Sequence, residues 1–135
     1  MAYSITAIDD LDAEEAATLK SVGIRTTEKL LEAAKSPKGR RELAAMTELD
    51  EKRLLHFANL ADKLRIKGMG KEYAGLLCAV GVDTVKELKY RNPQKLVKSM
   101  ADANKKRKLV RFLPSEKLVK RWLEHARKLP QKITY

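Results

Sequence analysis

The sequence predicts an all-α protein, and three observations carry that prediction. Apolar residues recur at helical spacing, most plainly in Leu54, Phe57, Ala58, Ala61 and Leu64. That i, i+3, i+4, i+7 pattern aligns them along one face of a helix. Helix start and stop signals follow one another at short intervals along the chain. Nothing of strand length alternates with period two, apart from a weak stretch at 108–113.

Eight short helices follow in order. Asp12 with Glu15 forms a D-x-x-E capping box ahead of Ala16, Ala17 and Leu19, and Gly23 supplies the stop. Thr26 or Thr27 caps a second helix carrying Leu30, Leu31 and Ala34. Ser36-Pro37 places a cap before a proline at the first helical position, opening a third helix with Leu43, Ala44 and Met46. Asp50 opens a longer fourth helix through Leu64. A fifth runs from about Gly70 to Val80, and Thr84 with Glu87 boxes the start of a sixth. Asn92-Pro93 begins a seventh through Leu96, Val97 and Met100, and Ser115 caps an eighth with Leu118, Val119, Trp122 and Ala126. Phe57 and Trp122 lie on the apolar faces of their helices and are expected in the core. Cys78, the only cysteine, is expected to be a small buried apolar residue.

The chain is also written twice. Ile8, Asp10, Asp12, Ala16, Leu19, Val22-Gly23-Ile24, Thr26 and Leu30 recur 58 positions later as Ile66, Gly68, Gly70, Ala74, Leu77, Val80-Gly81-Val82, Thr84 and Leu88. Toward the ends of the copies the spacing becomes 65, as in Asp50-Glu51-Lys52 against Ser115-Glu116-Lys117. The difference of 7 residues must enter between Leu88 and Ser115. The expected organisation is two duplicated helical subdomains, 1–64 and 65–135. Each would be marginal alone, so they are expected to pack into one globular unit.

The two halves differ electrically. The net charge of +11 divides into −2 for residues 1–64 and +13 for residues 65–135. Such an asymmetry points to a polyanionic partner for the second half, since summed charge steers association with nucleic acid or anionic surfaces. One cysteine excludes a disulfide framework or a cysteine metal cluster. No segment has the apolar length of a membrane span, and no secretory signal pattern opens the chain, so a cytoplasmic location without a membrane partner is expected. His56 and His125 lack partners at ligand spacing, and Asp9, Asp10, Asp12, Glu14 and Glu15 fit helix N-terminal preference better than a metal site. No metal or cofactor is expected. With no activated nucleophile, paired catalytic carboxylates or phosphate loop, neither is an enzyme.

Residues 66–77 read Ile66-Lys67-Gly68-Met69-Gly70-Lys71-Glu72-Tyr73-Ala74-Gly75-Leu76-Leu77. This segment resembles the helix-hairpin-helix motif of many DNA-binding proteins, in which a Gly-hydrophobic-Gly turn joins two helices. The resemblance implies that backbone amides of Gly68, Gly70 and Lys71 meet phosphate, helped by the following helix dipole. Lys67 and Lys71 would add charge and Met69 would plug into the core. In the first copy Asp10 and Asp12 stand at the two glycine positions and Asp9 replaces Lys67. Those carboxylates would repel phosphate, so the first hairpin is expected to be structural or to meet a basic protein surface.

Across nearly the whole chain, the Arg65-Ile66-Lys67-Gly68, Gly81-Val82-Asp83-Thr84-Val85-Lys86-Glu87-Leu88 and Arg91-Asn92-Pro93 blocks and the 130–135 end are similar to a bacterial domain family. That family has tandem helix-hairpin-helix units and no assigned function. The second half also carries Lys105, Lys106, Arg107, Lys108 and Arg111, a basic cluster able to track a phosphate backbone. The expectation is sequence-independent nucleic-acid binding, DNA foremost, through residues 67–71 and this cluster. The alternative is a protein-interaction or scaffold module whose acidic first half meets a basic partner.

Overall fold

A computed structural model describes residues 3–135. Met1 and Ala2 of the first expected subdomain lie outside the described residues. The helices are α1 (Ala13–Ser21), α2 (Thr27–Ala34), α3 (Pro37–Thr47), α4 (Glu51–Lys63), α5 (Lys71–Ala79), α6 (Val85–Leu88), α7 (Pro93–Arg107) and α8 (Glu116–Lys128), preceded by a 3-10 turn at Ile5–Ala7. The fold is all-α. The described residues contain no strand, only an isolated antiparallel bridge between Ser4 and Thr26, and 108–113 is irregular.

The helix starts are set by local chemistry. Asp12 accepts from the Glu15 amide while the Glu15 side chain accepts from the Asp12 amide, closing the capping box. Thr26, Ser36, Thr84, Asn92 and Ser115 each accept from the amide three residues on. Two pairs of positions 58 apart share a positive φ: Gly23 and Gly81 both have φ of 87°, while Asp10 and Gly68 have 68° and 81°. The 7-residue difference has a physical form. α7 has 15 residues where α3 has 11, and 108–115 connects α7 to α8 where 48–50 connects α3 to α4, an excess of 9 that is offset by Pro93 following Thr84 two positions sooner than Pro37 follows Thr26. Lys105, Lys106 and Arg107 of the basic cluster are the last turn of α7. Lysine and arginine are good helix formers and suit the negative end of the helix dipole.

The chain divides into two compact units: unit 1 is Met1–Asp62 with Lys132–Tyr135, and unit 2 is Lys63–Gln131. The sequence placed 132–135 in the second half, but its chemistry ties it to the first. The Thr134 amide donates to Lys35 O at 2.7 Å, and Arg40 donates to Thr134 O at 2.8 Å and to Ala34 O at 2.9 Å. Lys132 Nζ lies 2.8 Å from Glu32, and Ile133 is buried.

Within unit 1, α2 packs against α3 and the Ile5–Ala7 turn, and Ile5, Leu19, Leu30, Ala34 and Phe57 are fully buried. Arg53 organises the acidic segment. Its guanidinium donates to the Glu15 carboxylate at 2.9 Å, to Asp10 Oδ2 at 2.8 Å and to Asp10 O at 2.6 Å, and it lies 4.6 Å from the Phe57 ring centroid. Hydrogen bonding from Arg53 holds the Asp10 and Glu15 carboxyls below their ordinary range against the opposing effect of desolvation. Lys132 and Lys35 bring Glu32 from 4.5 to about 2.

All three folded-state values are depressed, so their stabilisation is complete above the unfolded carboxylate values and is lost as protons bind the folded state. Unit 1 is therefore expected to lose stability as pH falls from 4.5 toward 2. Urea titrations followed by circular dichroism over that window would check this. Arg53→Gln should remove the part of the acid dependence that Asp10 and Glu15 carry and leave that of Glu32, whereas an unchanged profile would remove Arg53 from its cause.

Within unit 2, α7 packs against α8 and α5, and α6 packs against α8. Leu76, Leu77, Leu88, Leu96, Met100, Val119, Trp122 and Ala126 are fully buried. Phe57 and Trp122 are thus core residues, as their spacing predicted. Cys78 is only half-buried. Lys63 is fully buried and its Nζ donates to Val82 O at 2.9 Å, placing a hydrogen-bonded cation inside unit 2.

Candidate nucleic-acid interface

The turn before α5 is built by two buried anchors and two glycines. Ile66 and Met69 are buried, and the amides of Ile66 and Met69 donate to Lys63 O and Ile66 O at 3.1 and 3.2 Å. Met69 therefore faces the core, not solvent. Lys67, Gly68, Gly70 and Lys71 are exposed. Gly68 has φ of 81°, and Gly70 has φ of 80° with ψ of 157°. A Cβ added at either glycine would meet nothing within 4 Å. Backbone conformation, not crowding, calls for glycine here, and the space above the backbone is open.

Positions 12 and 70 differ at the helix start. Asp12 caps α1 with its side chain, whereas Gly70, at the corresponding position, offers α5 no side-chain cap. The first turn of α5 thus lacks the acceptor that closes α1, α2, α3, α6, α7 and α8. Uncapped amides at the positive end of a helix form an anion-binding geometry.

α8 supplies the neighbouring wall. The Lys67 amide donates to His125 Nδ1 at 3.0 Å, which fixes the turn to α8 and leaves the imidazole proton on Nε2. An open groove of about 500 Å³ is lined by Lys67 and Gly68 of the turn and by Leu118, Arg121, Glu124, His125 and Lys128 of α8. Lys67, Arg121 and Lys128 face Glu124 as the single acidic lining residue.

Sequence reasoning missed Arg121 and Lys128 and gave His125 no place in the site. Their i, i+4, i+7 spacing was visible, but nothing local says which element that face meets. Lys105, Lys106, Arg107, Lys108 and Arg111 do not line this groove. They occupy the end of α7 and the segment after it, where Lys108 adopts φ of 50°. A separate contact ties that segment to α5: Tyr73, in the first turn of α5, donates from its hydroxyl to Phe112 O at 2.9 Å. The Tyr73 ring lies 5.3 Å from Trp122, so a core residue supports the contact.

No described helix is long and apolar enough to cross a membrane. Among the described residues, no three His, Cys, Asp or Glu side chains come together as a metal site. The family model of a domain of unknown function, DUF4332, matches residues 10–129. No curated protein and no solved structure matches the chain.

Proposed function

We propose that this chain, which belongs to the DUF4332 family of unknown function, binds nucleic acid without sequence preference through unit 2. The observation that carries the reading is the uncapped start of α5 behind two exposed, positive-φ glycines, flanked by Lys67, Lys71, Arg121 and Lys128. In this reading the turn is the hairpin of a helix-hairpin-helix. Its amides donate to phosphate oxygens and the four cations neutralise the adjacent backbone. The role is non-enzymatic and belongs to a cytoplasmic protein. No described helix offers an array of base-reading side chains, so the contacts position a backbone and do not read bases.

The alternative, a docking surface on the acidic first half, has less support. Arg53 already occupies Asp10 and Glu15, and Asp12 and Glu15 are turned into the cap of α1. Fluorescence anisotropy with a labelled duplex tests the reading. With four phosphate-neutralising cations, log K should fall against log salt with a slope of roughly −3 to −4. Lys67→Glu combined with Arg121→Glu should weaken binding by about tenfold or more and make that slope shallower. A folded double variant that binds as the wild type does would sink the proposal.

A further inference from the structure

Phe112 is 73% exposed, in a chain whose Phe57 and Trp122 are fully buried. Its position is not that of a loose loop. Asn104 brackets the segment: its side-chain amide donates to Val110 O at 3.1 Å and its carbonyl accepts from the Val110 amide at 2.9 Å. Val110 is buried, and Tyr73 holds the Phe112 carbonyl from the other side. The backbone is pinned on both sides of Arg111, and the ring of Phe112 is held out to solvent.

Its surroundings are cationic. Lys105, Lys106, Arg107, Lys108 and Arg111 are nearby in sequence, all five exposed, and the Arg111 guanidinium lies 6.0 Å from the Phe112 ring centroid. A fixed aromatic among cations matches what single strands require: charge to follow the phosphates and a π-face for a base. A continuous duplex offers no such partner, because its base faces are already stacked on one another. Tyr73, three residues beyond Gly70, also ties the Phe112 backbone to the helix start that carries the open amides.

We propose that Phe112 is a base-stacking platform, and that unit 2 prefers nucleic acid with unpaired bases, single-stranded or gapped, over continuous duplex. The inference rests on the nucleic-acid reading above and gives it a substrate class. A strand whose phosphates meet the amides before α5 delivers an unpaired base to the ring. An anionic membrane surface is the competing occupant of a basic segment bearing Phe112 and Leu113. Leu109 and Leu113 are also exposed beside the ring, but a backbone held by Asn104 and Tyr73 is not free to follow the ring into a bilayer, which favours stacking over insertion.

The test uses the full chain and labelled oligothymidine of about 16 nucleotides, within the span that stacking platforms cover, beside a duplex of equal length. Phe112→Ala should lower single-strand affinity by about tenfold, the loss of one base–aromatic stack, with duplex affinity unchanged. Phe112→Leu, which keeps apolar bulk but removes the π-face, should behave like Phe112→Ala, and Phe112→Trp should restore binding. Equal losses on both ligands, or no loss on the single strand, would overturn the stacking role while leaving backbone binding intact. Wild-type protein that binds neither ligand would overturn the nucleic-acid reading itself. Co-sedimentation with phosphatidylserine vesicles that Phe112→Ala abolishes and Phe112→Leu retains would overturn it in favour of a membrane surface.

Discussion

Trp122→Ala is expected to destabilise unit 2 by about 3–5 kcal/mol, the usual cost of emptying a large buried aromatic site. The side chain is fully buried on α8, the helix against which α6 and α7 pack. Native domains hold only about 5–15 kcal/mol in reserve, so this change removes a large share of the stability of a unit of this size. The effect reaches the candidate site because Tyr73 rests on Trp122 and holds the Phe112 backbone. Trp122→Phe should cost less, since Trp122 Nε1 is buried without a hydrogen-bond partner among the described residues and no bond is lost with it. Urea unfolding followed by circular dichroism separates the variants. A Trp122→Ala protein within about 1 kcal/mol of wild type, the loss typical of an ordinary substitution, would contradict the packing described for α8. Trp122 is the only tryptophan, so its fluorescence in the wild type reports on unit 2 alone.

Asp substitutions at Gly68 and Gly70 should part company, although both copy the first half of the chain. Asp10, at the position corresponding to Gly68, already adopts φ of 68°. Aspartate is among the few side chains that tolerate this region. Gly68→Asp should therefore fold, while its carboxylate beside the open amides reduces nucleic-acid affinity by about tenfold, equivalent to ~1.4 kcal/mol of phosphate contact and repulsion. Gly70 sits at φ 80° and ψ 157°, whereas Asp12 sits at φ −80°. That positive-φ, extended-ψ conformation belongs essentially to glycine, and an Asp there costs about 1–3 kcal/mol of strain unless the turn rearranges. Paired urea melts and anisotropy titrations check both statements. Equal stability of the two variants would show that the turn relaxes to the Asp12 geometry.

What the sequence disclosed and what it hid follow from range. Thr26, Ser36, Thr84, Asn92 and Ser115 were legible as helix starts because a cap acts within three residues. The burial of Phe57 and Trp122 was legible because helical spacing alone sorts a helix into faces. By contrast, His125 reaches the Lys67 amide across 58 positions, and Arg53 reaches Asp10 across 43. No local rule selects those partners. The basic cluster shows the same division: its charge was visible, but a helical end for Lys105, Lys106 and Arg107 depends on how far α7 extends. The exposure of Phe112 on a fixed backbone depends on two side chains, Asn104 and Tyr73, that hold the segment from outside it.

The hold of Lys35 and Arg40 on Thr134 has a consequence for the order of assembly. Unit 1 is interrupted in sequence, and unit 2 is an insertion between its main part and its last four residues. During synthesis every residue of unit 2 is made before Lys132, Ile133 and Thr134 exist to fill their places. Until then Arg40 has no Thr134 carbonyl to bind and Glu32 has no Lys132. The unit begun first is thus completed only after unit 2, and deleting residues 132–135 would weaken unit 1.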